Sequence, residues 1–346
     1  MSYVRVYYFW VIACMISLLW RTDVHISDES PISRLDNWAD TVLNKLRQVN
    51  TMAEVYEVQA ILDGGDFFHV KSPVRNSHAL IQSVASLGSP VPILANVGNH
   101  DVKYGDLRFL NESPLGVLFS SGVFRRCYQK YEWYIQRNSA EISYSATYLE
   151  GFEETVRVVG VPYHGTIYNN DFLRVKKGRE DRLVVMAHLL ASQDGGTMFE
   201  GEDIVSYDIL KDCDADVFCF GHWHKDQGIT EISDGKFVVN IGSLTRGSLS
   251  QDDIDRTPSV ALLKLSKSSV QCVQIPLKVS PAVEVFNMEG KARLESKEIQ
   301  VNSFLATLQQ LQHPTEGSVE DWVRSLEITA PVKEAMLHYL DEAKAA

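Results

Sequence analysis

The chain has 346 residues, 45% apolar and 23% charged, which suits an ordinary globular protein with one large α/β domain and a small second one, and excludes a disordered chain. Its 33 basic and 45 acidic residues give a net charge of −12, which argues against a protein that holds nucleic acid by bulk charge alone. The five cysteines (Cys14, Cys127, Cys213, Cys219, Cys272) are odd in number and contain no C-x-x-C pair, so a disulfide framework or thiolate zinc site is not expected and a reducing compartment fits best.

In chain order, the first feature is an apolar run over residues 6–20, bounded by Arg5 and Arg21. A membrane span needs about 20 apolar residues, and no A-x-A cleavage site precedes Asp23, so neither an anchor nor a signal peptide is expected. "MISLLWRT" reads instead as a core strand buried on both faces. Such a strand needs only ~5–6 residues. The fold is therefore expected to begin near Met15, with residues 1–14 an extension of uncertain status.

Short apolar runs then recur, each ending in a polar knot. "VQAIL" runs into Asp63-Gly-Gly-Asp66, "VPILANV" into Gly98-Asn-His-Asp101, "RLVVMA" into His188, and "ADVFCF" into Gly221-His-Trp-His224. These read as buried strands with functional residues at their C-terminal ends, where ligands collect in α/β sheets. "RLDNWADTVLNKLRQV" and "SHALIQSVASL" are helical in pattern and lie between the strands. "KFVVNIGSLTRGS" is a strand into a Gly/Ser loop, and "SVALLKLSKSSVQCVQIPL" alternates about a Lys-Ser-Ser turn as a hairpin does. A boundary is placed near residue 280, giving a domain over 15–280 and a largely helical region over 281–346. In that region "VNSFLATLQQL" is amphipathic, "SVEDWVRSL" opens with a capping-box pattern from Ser318 to Asp321, and Pro331 stands near a helix start.

Each knot has a bland reading: a chance D-x-H at Asp23 and His25, a turn at Gly65-Asp66, a capped corner at 98–101, a core histidine at His188. Two imidazoles at i and i+2, His222 and His224, fall on one side of an extended segment, which suits metal binding. Together the knots offer two Asp, one Asn and four His, a mixed N/O set suited to Mn²⁺, Fe²⁺ or Zn²⁺. Two metals sharing a carboxylate would polarise a phosphoryl group, and the spare His100 would protonate a leaving oxygen.

The ordered set D-x-H, G-D, G-N-H-D, H and G-H-x-H resembles the calcineurin-like metallophosphoesterase superfamily, over about residues 15–250. Within it the chain is similar to the DNA-repair nuclease subunit of the SbcD type, including bacteriophage-encoded versions. "GGDFFHVKSP" has His69 where protein phosphatases show Asp-Arg-Gly, and "NIGSLTRGS" is similar to the N-P-G-S-x-x-R stretch of the nucleases, with Ile241 in place of proline. The resemblance implies a β-sandwich flanked by helices (four-layer αββα) with a small C-terminal α+β or helical region. It implies Asp23, His25, Asp66 and His224 around one metal, and Asp66, Asn99, His188 and His222 around the other, with Asp66 bridging. His100 would be the general acid oriented by Asp101, His69 would lie near the scissile phosphate, and Arg246 would contact the DNA backbone.

The implied activity is two-metal hydrolysis of DNA phosphodiesters, as a 3′→5′ exonuclease or single-strand endonuclease in repair or recombination, with Mn²⁺ the expected ion. The implied partners are DNA and an SbcC-type coiled-coil ATPase docking on residues 281–346, a region that equally reads as a cap on its own domain; a homodimer is allowed for and no membrane is involved. The expected location is the cytoplasm, that of the host for a phage-encoded chain. Two rivals stand beside this reading: a phosphatase or nucleotide phosphodiesterase on the same scaffold, and a non-catalytic relative, which should lack some ligands. The basic clusters Arg125, Arg126, Lys130 and Arg174, Lys176, Lys177, Arg179 fit a DNA path or merely solvated faces. His164, in the Tyr-His-Gly stretch at 163–165, reads as structural.

Overall fold

In this computed structural model, residues 15–70, 76–198, 201–290, 323–326 and 329–345 are described. The extension at 1–14, the amphipathic stretch at 301–311 and the Ser318–Asp321 capping box lie outside the described residues.

Strand β1 (Ile16–Arg21) runs between β15 (Ser259–Leu265, antiparallel) and β2 (Ala60–Asp63, parallel). Its side chains alternate between faces. Ile16, Leu18 and Trp20 enter one apolar cluster and Leu19 another, so the strand is apolar throughout because both its faces are covered. β3 (Ile93–Ala95), β4 (Arg125–Arg126) and β16 (Val270–Pro276) complete a six-stranded sheet in the order β16-β15-β1-β2-β3-β4. β15 and β16 form the hairpin expected about the Lys-Ser-Ser turn.

The second sheet has seven strands in the order β13-β14-β12-β8-β7-β5-β6. They are β5 (Trp133–Arg137), β6 (Ile142–Ser145), β7 (Glu154–Val161), β8 (Arg182–His188), β12 (Val217–Gly221), β13 (Asp226–Ser233) and β14 (Lys236–Ile241). Residues of both sheets make up the core between them: Leu18, Trp20 and Leu62 meet Val158, Met186 and Cys219. The Asn96 side-chain amide donates to the carbonyls of Val161 (2.9 Å) and Met186 (3.4 Å), so a buried polar group links the two sheets at the ends of β3, β7 and β8.

Helices α1 (Trp38–Val55), α2 (His78–Leu87) and α3 (Pro114–Ser120) cover the outer face of the first sheet. Side chains of Asn37, Ser77 and Ser113 cap their N-termini. The outer face of the second sheet is covered differently, by 3₁₀ turns at Asn170–Leu173 and Tyr207–Leu210 and by a small sheet of β9 (Ala191–Ser192), β10 (Gly196–Thr197) and β11 (Asp203–Ser206). The layering is thus the α/β arrangement expected, with turns where long helices would stand.

The chain divides into two compact units between Phe286 and Asn287. The second contains helix Ala330–Ala345, with Pro331 in its first turn. No helix among the described residues is long and apolar enough to cross a membrane.

Candidate metal centre

The expected ligands stand at the C-terminal ends of β1, β2, β3, β8 and β12. β1, β2 and β3 run parallel, as do β8 and β12, so these loops gather at one edge of the sandwich. The loop after β1 is laced to the loop after β2: Asp23 N–H donates to Gly65 O (3.1 Å), His25 N–H to Asp66 O (3.0 Å) and Ile26 N–H to Phe67 O (2.9 Å). Asp23 (φ 53°), His25 (φ 48°), Asp66 (φ 53°) and His222 (φ 89°) all adopt left-handed backbone. Such conformations are costly for residues with a Cβ and cluster where a site over-determines the chain. Here each turns a side chain inward.

The side chains converge as two groups. In the first, His224 Nε2 lies 3.6 Å from Asp23 Oδ1, His25 Nε2 lies 3.8 Å from the same oxygen, and the two ring nitrogens face each other at 2.9 Å. In the second, His188 Nε2 lies 3.2 Å from Asn99 Oδ1, and the ligating atoms of Asp66, His188 and His222 fall within 4.8 Å of one another. Asp66 stands between them, its Oδ2 3.6 Å from His25 Nε2 and 3.4 Å from His188 Nε2. The seven residues singled out as ligands are therefore brought together, and Asp66 has the position a bridging carboxylate needs.

These residues fit a pair of divalent ions on the chemistry of the donors. The His188 ring has its Nδ1 3.0 Å from the Gly64 carbonyl, which can only accept, so Nδ1 carries the proton and Nε2 presents a lone pair to the centre. Two glycines make room. An ideal Cβ on Gly98 would lie 2.1 Å from Asp66 Oδ1, and one on Gly221 would lie 2.1 Å from Thr22 Oγ1, whose hydroxyl bonds Asp23 Oδ2 at 2.7 Å.

The electrostatics express a buried anionic site. Burial would raise the Asp23 carboxyl, but hydrogen bonds with His224 and His25 outweigh it and hold Asp23 well below the usual carboxylate range. Asp66 is likewise held low, burial being overcome by His188 and His25. Burial lowers His25 to about 4, so it is a neutral imidazole at pH 7, as a ligand must be. His188 goes the other way, to about 9: burial opposes the charged ring, but the Asp66 carboxylate prevails. Protons and divalent ions thus compete for His188.

The catalytic expectations need revision in detail. His100 sits beside the first group, its ring centroid 4.8 Å from that of His25, and its Nδ1 lies 2.8 Å from the His69 carbonyl oxygen. That contact fixes the tautomer and leaves Nε2 free. Asp101, expected to orient the His100 ring, does not touch it. Its carboxylate accepts backbone N–H bonds from Asp66 (2.7 Å), Gly98 (2.9 Å), Phe67 (3.1 Å) and Phe68 (3.4 Å), so it braces the loops that carry Asp66 and Asn99. Burial, then the charge of Asp66, push the Asp101 carboxyl up to about 8 against those four donors. His69 is exposed, stacks on His100 at 5.3 Å, and with His25 and His100 forms a third cluster of ring nitrogens.

Arg246, expected on a DNA backbone, is only 4% exposed. It donates to the Ser280 carbonyl at 2.9 Å and lies over the Phe286 ring, so a surface contact to a strand does not fit its placement. The basic clusters are also engaged. Arg125 packs on Trp133 and Tyr144, Arg126 on Phe119 and Tyr131, and Lys130 on Tyr131, while Arg174, Lys176, Lys177 and Arg179 pair with Asp171, Asp214, Asp216 and Glu150. His164 is held locally, its Nδ1 near Pro162 O (3.1 Å) and its Nε2 accepting from Asn169 N–H (3.1 Å). Tyr163 does reach the centre, its ring 5.3 Å from that of His222.

Glu202 was not foreseen. Its Oε1 lies 3.0 Å from His222 Nε2 and accepts from the Tyr168 hydroxyl at 2.6 Å. It stands outside any strand-end knot, and in "FEGEDIV" it is one acid among three, so the sequence carries no signal for it.

With this geometry in view, the family model decides the family. Residues 17–226 match the calcineurin-like phosphoesterase family model. The chain belongs to that family. It is accordingly a metallophosphoesterase, a metal-dependent hydrolase whose fold holds two divalent ions. Among solved structures it is similar to a calcineurin-like phosphoesterase from Bacillus subtilis (14% identity, TM-score 0.43, covering 78% of this chain and 91% of that one). It is similar also to a dimetal phosphatase from Danio rerio (12% identity, TM-score 0.42, covering 75% and 98%) and to the NAD nucleotidase of Haemophilus influenzae (12% identity, TM-score 0.37, covering 75% and 55%). No curated protein matches the chain in sequence.

Proposed function

We propose that this centre hydrolyses phosphodiester bonds, and that DNA is its substrate, cleaved with the help of an SbcC-type ATPase. The observation that carries the reading is the pair of stacked rings, exposed His69 and half-buried His100, beside the two groups of candidate ligands. Two divalent ions, Mn²⁺ being the one expected, would supply Lewis acidity to a phosphoryl group and lower the pKa of water there. Asp23, His25 and His224 would hold one of them and Asn99, His188 and His222 the other, with Asp66 placed to serve both. His100 holds its proton on Nε2 when charged and delivers it to the leaving alkoxide; the His69 carbonyl keeps Nδ1 in place through that cycle. His69 presents its own ring to the non-bridging oxygens. DNA as substrate rests on the sequence resemblance at "GGDFFH" and "NIGSLTRGS".

A second reading, a phosphodiesterase or phosphatase of small nucleotides, has an observation of its own. A cavity of about 920 Å³, within the ~300–1,000 Å³ usual for small-molecule sites, adjoins the centre at Tyr163; Arg108 and Arg157 on its wall are paired with Asp106 and Glu132. The deciding experiment incubates the Mn²⁺- or Mg²⁺-loaded chain with labelled duplex and single-stranded DNA beside cyclic and monomeric nucleotides. Shortened DNA that disappears with His100→Ala supports the nuclease; turnover confined to nucleotides supports the second reading.

A further inference from the structure

Helix α1 buries a lysine. Lys45 is 3% exposed on a helix face otherwise built from Trp38, Val42, Leu46 and Val49. Its ammonium has no hydrogen-bond or ion-pair partner among the described residues. Burial, then the charges of Arg34, Arg246 and Arg256, lower Lys45 from 10.5 to about 7. An uncompensated cation inside a fold is unfavourable, and it is relieved either by losing its proton or by gaining an anionic partner.

The surroundings say what that is. Lys45 lines a cavity of about 650 Å³ whose wall also carries Arg34, Arg246 and Lys278. Among the described residues the one carboxylate on the wall, Asp36, is already held by Nε and Nη2 of Arg34, each at 2.8 Å. Asp253, nearby, is taken by Arg256 at 2.9 and 3.0 Å. Arg246 has its Nε buried without a partner, although its Nη2 is anchored on Ser280 O and its Nη1 lies 3.4 Å from both Ile254 O and Arg256 O. The wall is rigid. Arg34 and Arg246 both lie over Phe286, and Gln48 exchanges two hydrogen bonds with the Lys278 backbone, at 2.8 and 2.9 Å. None of these side chains is a ligand of the metal centre.

We propose that this cavity binds a small phosphate-bearing anion, with the Lys45 ammonium and the unpartnered Nε of Arg246 directed at its oxygens. With Asp36 taken by Arg34, the other three cations of the wall, Lys45, Arg246 and Lys278, stand without a carboxylate of their own among the described residues, so a multiply charged oxyanion balances the wall better than a single carboxylate does. The volume lies within the ~300–1,000 Å³ usual for small-molecule sites. Val279, Pro281 and Val285 give an apolar flank for the ester portion.

The test is calorimetric titration of the metal-loaded full chain with inorganic phosphate and with pyrophosphate, against acetate at matched ionic strength. Asp66→Ala, Lys45→Met and Lys278→Gln are titrated in parallel. The expected result is saturable binding of the phosphates and not of acetate, retained in Asp66→Ala, weakened at least ~10-fold in Lys45→Met and several-fold in Lys278→Gln. Retention in Asp66→Ala separates this cavity from phosphate held at the metal centre, so its outcome is independent of the proposed hydrolysis. Should Lys45→Met fail to fold, Lys278→Gln decides. Binding that is lost in Asp66→Ala but unchanged in the lysine variants overturns the proposal, as does no binding beyond that of acetate.

Discussion

At the scale of single residues, the centre separates holding metal from moving a proton. His100 is in neither ligand group, so His100→Ala should keep the metal content of the wild type while turnover falls by ~10²–10⁴-fold. The loss should shrink on substrates with a good leaving group, such as an aryl phosphodiester, because less protonation is then needed. Metal analysis and steady-state rates on both substrate types check this; equal losses on both would remove His100 as the acid. Lys45 gives a pH dependence of stability. Its folded-state value of about 7 lies below the ordinary 10.5, so below about pH 7 it is charged in both states and the burial penalty is full. Between about 7 and 10.5 the folded chain sheds a proton that the unfolded chain still holds, and stability rises with pH. Relative to Lys45→Met, the wild type should gain on the order of a few kcal/mol across that window, read by denaturant unfolding at several pH values. A flat difference would mean that Lys45 is charged and solvated in the fold.

At the scale of elements, the strand ends carry the chemistry, and they were legible for a physical reason. β1, β2, β8 and β12 are covered on both faces, so their sequences are apolar runs that stop abruptly at the polar residue facing the crevice. What the chain order could not supply is how loops touch. The resemblance implies Asp101 as the group that orients His100; the fold instead turns its carboxylate to four backbone N–H groups. Arg246 sits in a Gly/Ser-rich stretch that reads as surface, and becomes buried because residues 280–286 pack over it. Lys45 did leave a mark: it falls three residues after Val42 and four before Val49, on the apolar face of its helix. The close approach of the loops after β2 and β3 gives a prediction of its own. Gly98→Ala would push a methyl group against Asp66 Oδ1, so the chain should fold, by circular dichroism, yet lose ~10²-fold or more in activity with weakened metal binding. Full activity in that variant would mean that the Asp66 loop yields freely.

At the scale of the whole molecule, the division at Phe286 separates a unit that contains every proposed ligand from one containing helix Ala330–Ala345. A chain ending at Phe286 should therefore stay folded and metal-loaded while losing association with a co-expressed SbcC-type ATPase; aggregation of that shorter chain would favour a cap on its own domain. The central claim, two divalent ions sharing one carboxylate, is tested most directly by metal stoichiometry. Wild-type chain and Asp66→Ala are loaded with Mn²⁺, desalted, and analysed by inductively coupled plasma mass spectrometry. The expected result is about two ions per wild-type chain and fewer than one in Asp66→Ala, because both sites lose the shared charge together. Two ions retained by Asp66→Ala, or a wild type that holds none, would contradict it.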